Sequence, residues 1–176
     1  MADLTPLLAF RWSPRAFHPT DELTGDEAAS LLEAARWAPS AGNVQPWRFA
    51  LGRRDDETWK RILVSLPEAD QRWARHAAAL VVGAHTGGDP ERSAYDLGQA
   101  VAHLTVQATA LGLHVHQIRG FDRASLTADL DLPSGIRPLV VTAVGRLGDP
   151  FALPEELLRR ETALRHRHPV HALLLR

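Results

Sequence analysis

Apolar positions recur along the chain with the period of a helix in several segments. One helix is predicted to begin at Thr24, because Thr24 and Glu27 have the spacing of a capping box, and to end at Pro39. The longest helical segment is rich in Ala and Leu, is expected to be buried on most of its surface, and ends at Gly112. Together with this 91–112 segment, the pattern predicts helices over 56–66, 69–76 and 123–130.

Shorter apolar runs between the helices predict strands over 47–52, 77–84, 113–118 and 139–145. The runs at 77–84 and 139–145 are apolar almost throughout, which is typical of buried strands. Helices and strands alternate with some hairpin-like returns. The pattern therefore predicts an α/β or α+β domain with one central sheet.

The C-terminal segment is predicted to begin with a helix at Pro154 and to end in a strand-like apolar stretch at 170–175. An apolar end after a polar segment docks either on a partner chain or on the chain's own core. The sequence alone favours neither alternative.

Composition narrows the class of protein. The chain has 176 residues, of which 45% are hydrophobic, and this suits one ordinary domain with a real core. A net charge of -1 gives no global field for nucleic acid or an anionic membrane. The lack of cysteine excludes disulfides, thiolate catalysis and Cys-ligated metals. No signal-peptide pattern or membrane-length apolar run is visible, so a cytoplasmic location is expected.

Two arginine clusters lie near opposite ends of the chain. Arg11, Ser13 and Arg15 surround Pro14, which disfavours a regular helix, and 165–168 reads Arg-His-Arg-His. Each cluster alone is either a solvated charge run or part of an anion site. If the fold brings both together, their guanidinium groups could surround a dianionic phosphate.

The segment 35–49 places small and amide side chains between two prolines and follows them with Trp47. A plain linker needs neither the amides of Asn43 and Gln45 nor the Trp. Gly98, inside the long helix, costs about 1 kcal/mol relative to alanine. This cost indicates close approach by another helix or by a ligand, and tight helix packing is the simpler interpretation.

Other sequence signals of a cofactor or metal are weak. His114 and His116 have strand spacing on one face, but no HExxH motif and no suitably spaced carboxylate completes a metal site. No GxGxxG or Walker A pattern is present, so neither a Rossmann dinucleotide site nor a P-loop is predicted.

In chain order, the motifs resemble those of the nitroreductase family of FMN-dependent oxidoreductases. Residues 11–17 resemble its R-x-S-x-R-x-F motif, and 35–49 its AxxAPSxxNxQPWxF signature. The apolar strand 77–83, the long helix from 96–98 to 110–113, the GFD turn at 118–122, and the basic pair before Pro169 continue the match. The resemblance implies an α+β fold with a mixed central sheet flanked by helices, in an intertwined homodimer.

The resemblance also implies a function. Residues 1–176 would form a single domain whose C-terminal arm, 154–176, contacts the partner subunit. NADH or NADPH would reduce FMN by hydride transfer, and an organic acceptor such as a nitroaromatic or a quinone would take the electrons. The partners would be a second subunit and small molecules, with no nucleic acid and no membrane.

Roles for individual residues follow from the same resemblance. The arginine clusters would bind the FMN phosphate and ribityl chain, the proline-bracketed loop would come from the partner subunit, and backbone after the third strand would lie near flavin N5. No side chain is assigned as catalytic and no metal is expected. The implied FMN-binding residues are Arg11, Trp12, Ser13, Arg15, Pro39, Ser40, Ala41, Asn43, Gln45, Gln71, Ile118, Arg119, Gly120, Arg165 and Arg167.

The chain departs from the family pattern in two places. Many members place a lysine near the flavin N1–O2 edge, where this chain has Ala74; Gln71 keeps an amide there, and either Arg72 or Arg75 could substitute. The insertions that commonly cover the substrate are missing, because only 85–90 precede the long helix. The site would be open or covered by other segments.

Two further functions stay open. The same flavin scaffold could run a different reaction, namely flavin fragmentation, reductive dehalogenation or desaturation. Alternatively, the chain could be a non-enzymatic, flavin-holding dimer.

Overall fold

The computed structural model describes residues 3–175, so residues 1, 2 and 176 of the predicted domain and arm lie outside the described part. Within that part, seven α-helices and four strands follow one another. The helices are α1 (Pro6–Ala9), α2 (Gly25–Arg36), α3 (Glu57–Val64), α4 (Glu68–Ala74), α5 (Pro90–Ala110), α6 (Arg123–Asp129) and α7 (Glu155–Glu161). The strands are β1 (Trp47–Arg53), β2 (Ala79–His85), β3 (His114–Ile118) and β4 (Arg137–Gly145).

Local signals set several of these bounds. The Thr24 hydroxyl accepts a hydrogen bond from the Glu27 amide at 3.2 Å, and the Glu27 carboxylate accepts one from the Thr24 amide at 2.9 Å. This capping box begins α2 as predicted, and such a cap contributes about 1 kcal/mol. Gly112 follows α5 with φ of 70°, the left-handed conformation expected after a helix.

The four strands form one sheet in the order β1-β2-β4-β3, and every neighbouring pair is antiparallel. The α+β class is therefore confirmed. The predicted mixture of strand directions is not seen among residues 3–175, because all three strand pairs reverse direction. Strands β1 and β3 form the two edges, and the fully buried β2 lies inside the sheet.

Helices cover both faces of the sheet. On one face α2 and α5 pack Leu31, Leu97 and Leu104 against it, and on the other α3 and α4 contribute Ile62 and Trp73. Full burial of one such aliphatic side chain stabilises a fold by about 1.5–3 kcal/mol. Among residues 3–175 the structure contains no helix with the length and apolarity needed to cross a membrane.

The long helix α5 is less enclosed than predicted. Its buried side chains, such as Leu97 and Leu104, lie on one face, while Tyr95 is 68% exposed on another. Apart from its chain neighbours and its own helix backbone, a Cβ atom at Gly98 would meet no atom within 4 Å among the described residues. The interpretation of Gly98 as a site of tight helix packing is therefore wrong for the described chain. Small Ala side chains made the whole helix resemble a buried one.

The C-terminal tail also differs from its prediction. Helix α7 forms as expected, but the strand predicted at 170–175 is wrong: Val170–Leu173 form a 3-10 turn. The Ala172 amide donates to the carbonyl oxygen of Pro169 at 2.9 Å, so the chain turns where the apolar pattern suggested extension. Leu173 and Leu174 are 69% and 70% exposed, so this end does not dock on the chain's own core.

Candidate functional site

The two arginine clusters from opposite ends of the chain meet. Arg165 donates from Nη1 to the carbonyl oxygen of Arg11 and from Nη2 to that of Ala9, each at 2.5 Å. Arg11 in turn donates to the Ser13 hydroxyl at 3.3 Å. Burial lowers the pKa of Arg11, and the charges of Arg165 and Arg167 lower it further. The fold thus holds like charges together, an arrangement that a bound anion would stabilise.

No carboxylate among residues 3–175 forms a salt bridge with these three arginines. Many other arginines are paired in this way; Arg159, for example, pairs with Glu155 four residues earlier on α7. Guanidinium groups that carry no internal counter-charge and lie beside a hydroxyl have the chemistry of a phosphate site.

Arg15 contacts helix α7 through its backbone and Trp73 through its side chain. Its guanidinium carbon lies 6.0 Å from the ring centroid of Trp73, while its main-chain N–H donates to both carboxylate oxygens of Glu161, at 2.9 and 3.0 Å. The N–H of Ala16 donates to the same carboxylate at 3.1 Å. Glu161, the last residue of α7, is only 7% exposed. No sequence pattern predicts this contact, because Arg15 and Glu161 are 146 residues apart.

Two histidines of β3 support the N-terminal segment. His116 donates from Nδ1 to the carbonyl oxygen of Pro14 at 2.9 Å, and its ring centroid lies 4.6 Å from that of Trp73. His114 makes an edge contact with Trp12, with the ring centroids 6.4 Å apart. Burial is the main cause that lowers the pKa of His116, so its neutral form is favoured. These two histidines, on one face of β3, therefore hold Trp12 and Pro14 in place.

The loop between the two prolines is held by polar contacts. The Ser40 hydroxyl accepts a hydrogen bond from the main-chain N–H of Gln45 at 3.0 Å. The main-chain N–H of Ala41 donates to the buried carboxylate of Asp96 at 3.3 Å. Asn43 and Gln45 have φ of 55° and 52°, left-handed conformations that are unfavourable for most side chains. A strained loop fixed from α5 is typical of a functional segment.

The loop and the end of β3 flank the same part of α5. Arg119, which directly follows β3, lines a cavity of about 380 Å³ with Tyr95, Gly98 and Gln117. Tyr95 also lines a second cavity of about 330 Å³, together with Pro39, Ser40, Ala41 and Asp96. Arg119 and Gly120 are exposed, and the segment after β3 and the loop thus lie on two sides of Tyr95. The spacing of Tyr95 and Gly98, three residues apart on one face of α5, was the sequence signal that could have identified Tyr95 as a site residue.

Helix α4 contains the position at which many family members carry a lysine and this chain has Ala74. Ala74 is completely buried, so a side chain at this position would point into the core. The Gln71 amide nitrogen donates to the Leu66 carbonyl oxygen at 2.8 Å. Arg72 pairs with Glu68 at 2.8 Å. The amide of Gln71 and the charge of Arg72 are thus already engaged within the chain.

The structure therefore brings the predicted residues together in two groups. Arg11, Ser13, Arg165 and Arg167 form an arginine cluster. The loop and the residues after β3 form a second group around Tyr95. Trp12, Arg15 and Gln71 instead have side-chain contacts outside both groups, with His114, Trp73 and Leu66. Buried Ile118 ends β3. The FMN-binding role of each residue stays a prediction.

Comparison with known proteins identifies the family. The family model described as nitroreductase family matches residues 8–66. A solved structure described as an oxidoreductase containing FMN has a TM-score of 0.90 and 33% identity, and the match covers 99% of this chain and 91% of that one. The chain belongs to the nitroreductase family. The predicted resemblance is thus confirmed, and the C-terminal arginines, which lie outside the family-model match, join the motif at 11–17 through the fold.

Other nitroreductase relatives have diverse names. An uncharacterised 15.4 kDa protein of Mycolicibacterium smegmatis is 35% identical over 132 residues, which is 68% of this chain and 88% of that protein. An oxygen-insensitive NAD(P)H nitroreductase of Salmonella typhimurium is 25% identical over 81% of this chain and 88% of its own length. A 5,6-dimethylbenzimidazole synthase of Rhodospirillum rubrum is 28% identical over 92% of this chain and 90% of its own length.

Proposed function

We propose that this nitroreductase-family protein is an FMN-dependent oxidoreductase that passes a hydride from NADH or NADPH through FMN to an organic acceptor, such as a nitroaromatic or a quinone. The observation that carries the proposal is the meeting of Arg11 and Ser13 with Arg165 and Arg167. A phosphate monoester with nearly two negative charges needs several charged donors. The similar oxidoreductase containing FMN and the NAD(P)H nitroreductase relative support the cofactor and the electron donor.

The residues present fit FMN. The arginine cluster would hold the phosphate, because its cations have no carboxylate partner among residues 3–175. The loop Pro39–Gln45 would line the ring or ribityl chain, and its small residues would let the backbone approach closely. Arg119 and Gly120, both exposed after β3, would lie beside the isoalloxazine.

When bound, FMN supplies the redox chemistry, since its N5 accepts a hydride and the reduced ring donates to an acceptor. The chain supplies binding, orientation and electrostatics. The main-chain N–H of Gly120 would donate a hydrogen bond near N5. The guanidinium of Arg119, which lines the cavity beside Gly98, would place positive charge where reduction builds negative charge. No side chain needs to act as a nucleophile.

We further propose that residues 1–176 act as one domain of a homodimer, with the arm 154–176 on the partner. The tail leaves Leu164, Leu173 and Leu174 from 69% to 85% exposed, and apolar area gains about 25 cal/mol per Å² when it is buried. The open face of α5 around Gly98 is a second surface for the partner. If the loop of one subunit serves the other subunit's FMN, dimerisation and cofactor binding are linked.

A different reaction on the same flavin scaffold is the second candidate. It is favoured by the synthase relative, which matches 92% of this chain, and by the buried Ala74 where many members carry a lysine. In that case FMN would bind, but a nicotinamide would reduce it slowly or not at all. Steady-state NADPH oxidation with a nitroaromatic would count against this candidate, and against a non-enzymatic flavin-holding dimer.

Binding of the cofactor tests the proposal directly. FMN and riboflavin, which lacks the phosphate, are titrated into the purified protein and into Arg11→Ala. The native protein should prefer FMN, and Arg11→Ala should lose about tenfold or more of FMN affinity, because charge-assisted hydrogen bonds are among the stronger ones. Failure to bind FMN, or equal affinity for riboflavin, would contradict it.

A further inference from the structure

The carboxylate of Glu161 lies at the junction between the two ends of the chain. It is 7% exposed and accepts three hydrogen-bond contacts of 2.9 to 3.1 Å from the main-chain N–H groups of Arg15 and Ala16. A buried carboxylate is stable only when such donors surround it. Its oxygens therefore make their hydrogen bonds within the fold.

Glu161 is the point at which the C-terminal segment attaches. It ends α7, and every residue from 162 to 175 is exposed. Four residues beyond Glu161, Arg165 makes the second attachment through the carbonyl oxygens of Arg11 and Ala9. Between them, these contacts fix the C-terminal chain on both sides of the segment that carries Ser13.

The two attachments of the C-terminal segment differ in how far their hydrogen bonds are buried. The contacts of Glu161 with the Arg15 and Ala16 N–H groups are part-buried and buried, whereas the Arg165 contacts are exposed to water. Charge-assisted hydrogen bonds are stronger in a low-dielectric environment than in water. The position of Arg165 and Arg167 relative to Arg11 consequently depends on the carboxylate that holds the end of α7.

We infer that Glu161 is a positioning residue for phosphate recognition, which joins the two ends of the chain so that their arginines bind one phosphate group. This inference rests on the proposed function of the arginine cluster. It assigns to an acidic residue a role in binding an anion, which it performs by positioning Arg165 and Arg167 and without touching the phosphate.

The test compares FMN and riboflavin affinities of the native protein, Glu161→Gln and Arg165→Ala, and of the double variant. Gln keeps the size of the side chain, but its amide nitrogen cannot accept from the Arg15 N–H. Glu156→Gln is the matched control, because Glu156 lies on the same helix and, among residues 3–175, forms a salt bridge only with exposed Arg160.

Glu161→Gln is expected to lower FMN affinity about tenfold or more, with riboflavin affinity changed less than about threefold. Glu156→Gln should match the native protein. The double variant should lose less FMN affinity than the two single losses combined, since Glu161 and Arg165 act on the same phosphate contacts. Equal losses for FMN and riboflavin, additive losses in the double variant, or unchanged FMN affinity would each overturn the inference.

Two results separate this inference from the proposed function. A native protein that does not prefer FMN over riboflavin contradicts both, whereas a native preference that Glu161→Gln retains contradicts the inference alone. If Glu161→Gln does not fold, Glu161→Asp keeps the charge and shortens the side chain by one methylene. The ratio of FMN to riboflavin affinity should fall in this variant too, and an unchanged ratio would overturn the inference.

Discussion

Arg165 donates two hydrogen bonds to the backbone of the N-terminal segment, and one of them reaches the carbonyl oxygen of Arg11 across 154 residues of sequence. This contact brings the Arg165 guanidinium to the backbone of Arg11, whose own side chain donates to the Ser13 hydroxyl and feels the charge of Arg165. The proposed FMN phosphate site is built on this relationship.

Replacement of Arg165 tests the contact. Arg165→Ala removes one cation and frees the backbone of Arg11, so FMN affinity should fall about tenfold to a hundredfold. A fluorescence titration with FMN measures the loss. The control is Arg159→Ala, because Arg159 is exposed and pairs with Glu155 on α7. A similar loss in both variants would indicate a nonspecific effect of charge and contradict the assigned role.

The open space at Gly98 predicts a substitution that spares the fold but harms the site. Gly98→Leu introduces a good helix former at a position where an added Cβ atom would meet no described atom within 4 Å outside its chain neighbours and its own helix backbone, so stability of the FMN-free chain should not fall. The new side chain should fill the cavity beside Arg119. FMN titration and sedimentation should show weaker cofactor binding, a weaker dimer, or both.

Gly52→Ala is the contrasting variant. Its Cβ would lie 2.3 Å from the backbone nitrogen of Trp59, so this substitution should destabilise the fold by about 1–3 kcal/mol. Urea unfolding distinguishes the two glycines. Gly98→Leu with native FMN binding and native dimerisation would show that this face of α5 contacts neither cofactor nor partner.

The sequence was most informative where structure is set locally. The Thr24 capping box, the strand at β2 and the left-handed Gly112 were all predicted, because each depends on neighbours within a few residues. The buried pairing of Glu161 with the Arg15 amide could not be predicted, since it depends on how two distant segments meet.

The candidate site likewise contains some features that the sequence predicted and others that only the structure shows. The arginine motifs and the proline-bracketed loop were recognisable as patterns, and the family they indicated is confirmed. The strand at 170–175 was wrongly predicted, because an apolar run becomes a strand only beside another strand. The role of Tyr95 between two cavities became visible only once α5, the loop and β3 were placed in space.

The buried His116 predicts how stability depends on pH. Burial, the largest cause, and the charge of Arg15 lower its pKa below the ordinary value of 6.5, although Asp70 and two backbone contacts oppose them. The unfolded chain then binds more protons than the folded chain as pH falls through this value, so stability is lost on acidification. Burial also lowers the pKa of His76 and His114, so these two residues affect stability in the same direction.

Thermal unfolding at a series of pH values measures this effect. The unfolding temperature should fall between about pH 7.5 and about pH 5.5, the range in which histidine titrates. The fall should be smaller in His116→Gln and unchanged in His166→Gln, because His166 is exposed. An equal fall in His116→Gln and in the native protein would show that this histidine does not contribute.

Asp96 links the loop to α5 and gives a further prediction. Asp96→Ala leaves the Ala41 N–H without its acceptor, so stability should fall by about 1–3 kcal/mol. The loosened loop should also bind FMN more weakly. Asp26→Ala, at an exposed position in the first turn of α2, is the control for lost charge. Native FMN affinity in Asp96→Ala would contradict a role for the loop in the cofactor site.

Anaerobic reduction of the purified, FMN-loaded protein tests the central proposal most directly. NADH and NADPH are added separately while the flavin absorbance is followed, and a nitroaromatic or a quinone is then supplied. At least one nicotinamide should bleach the flavin rapidly, and the acceptor should restore its colour. A protein that takes up no FMN, or whose bound flavin neither nicotinamide reduces, would contradict the account.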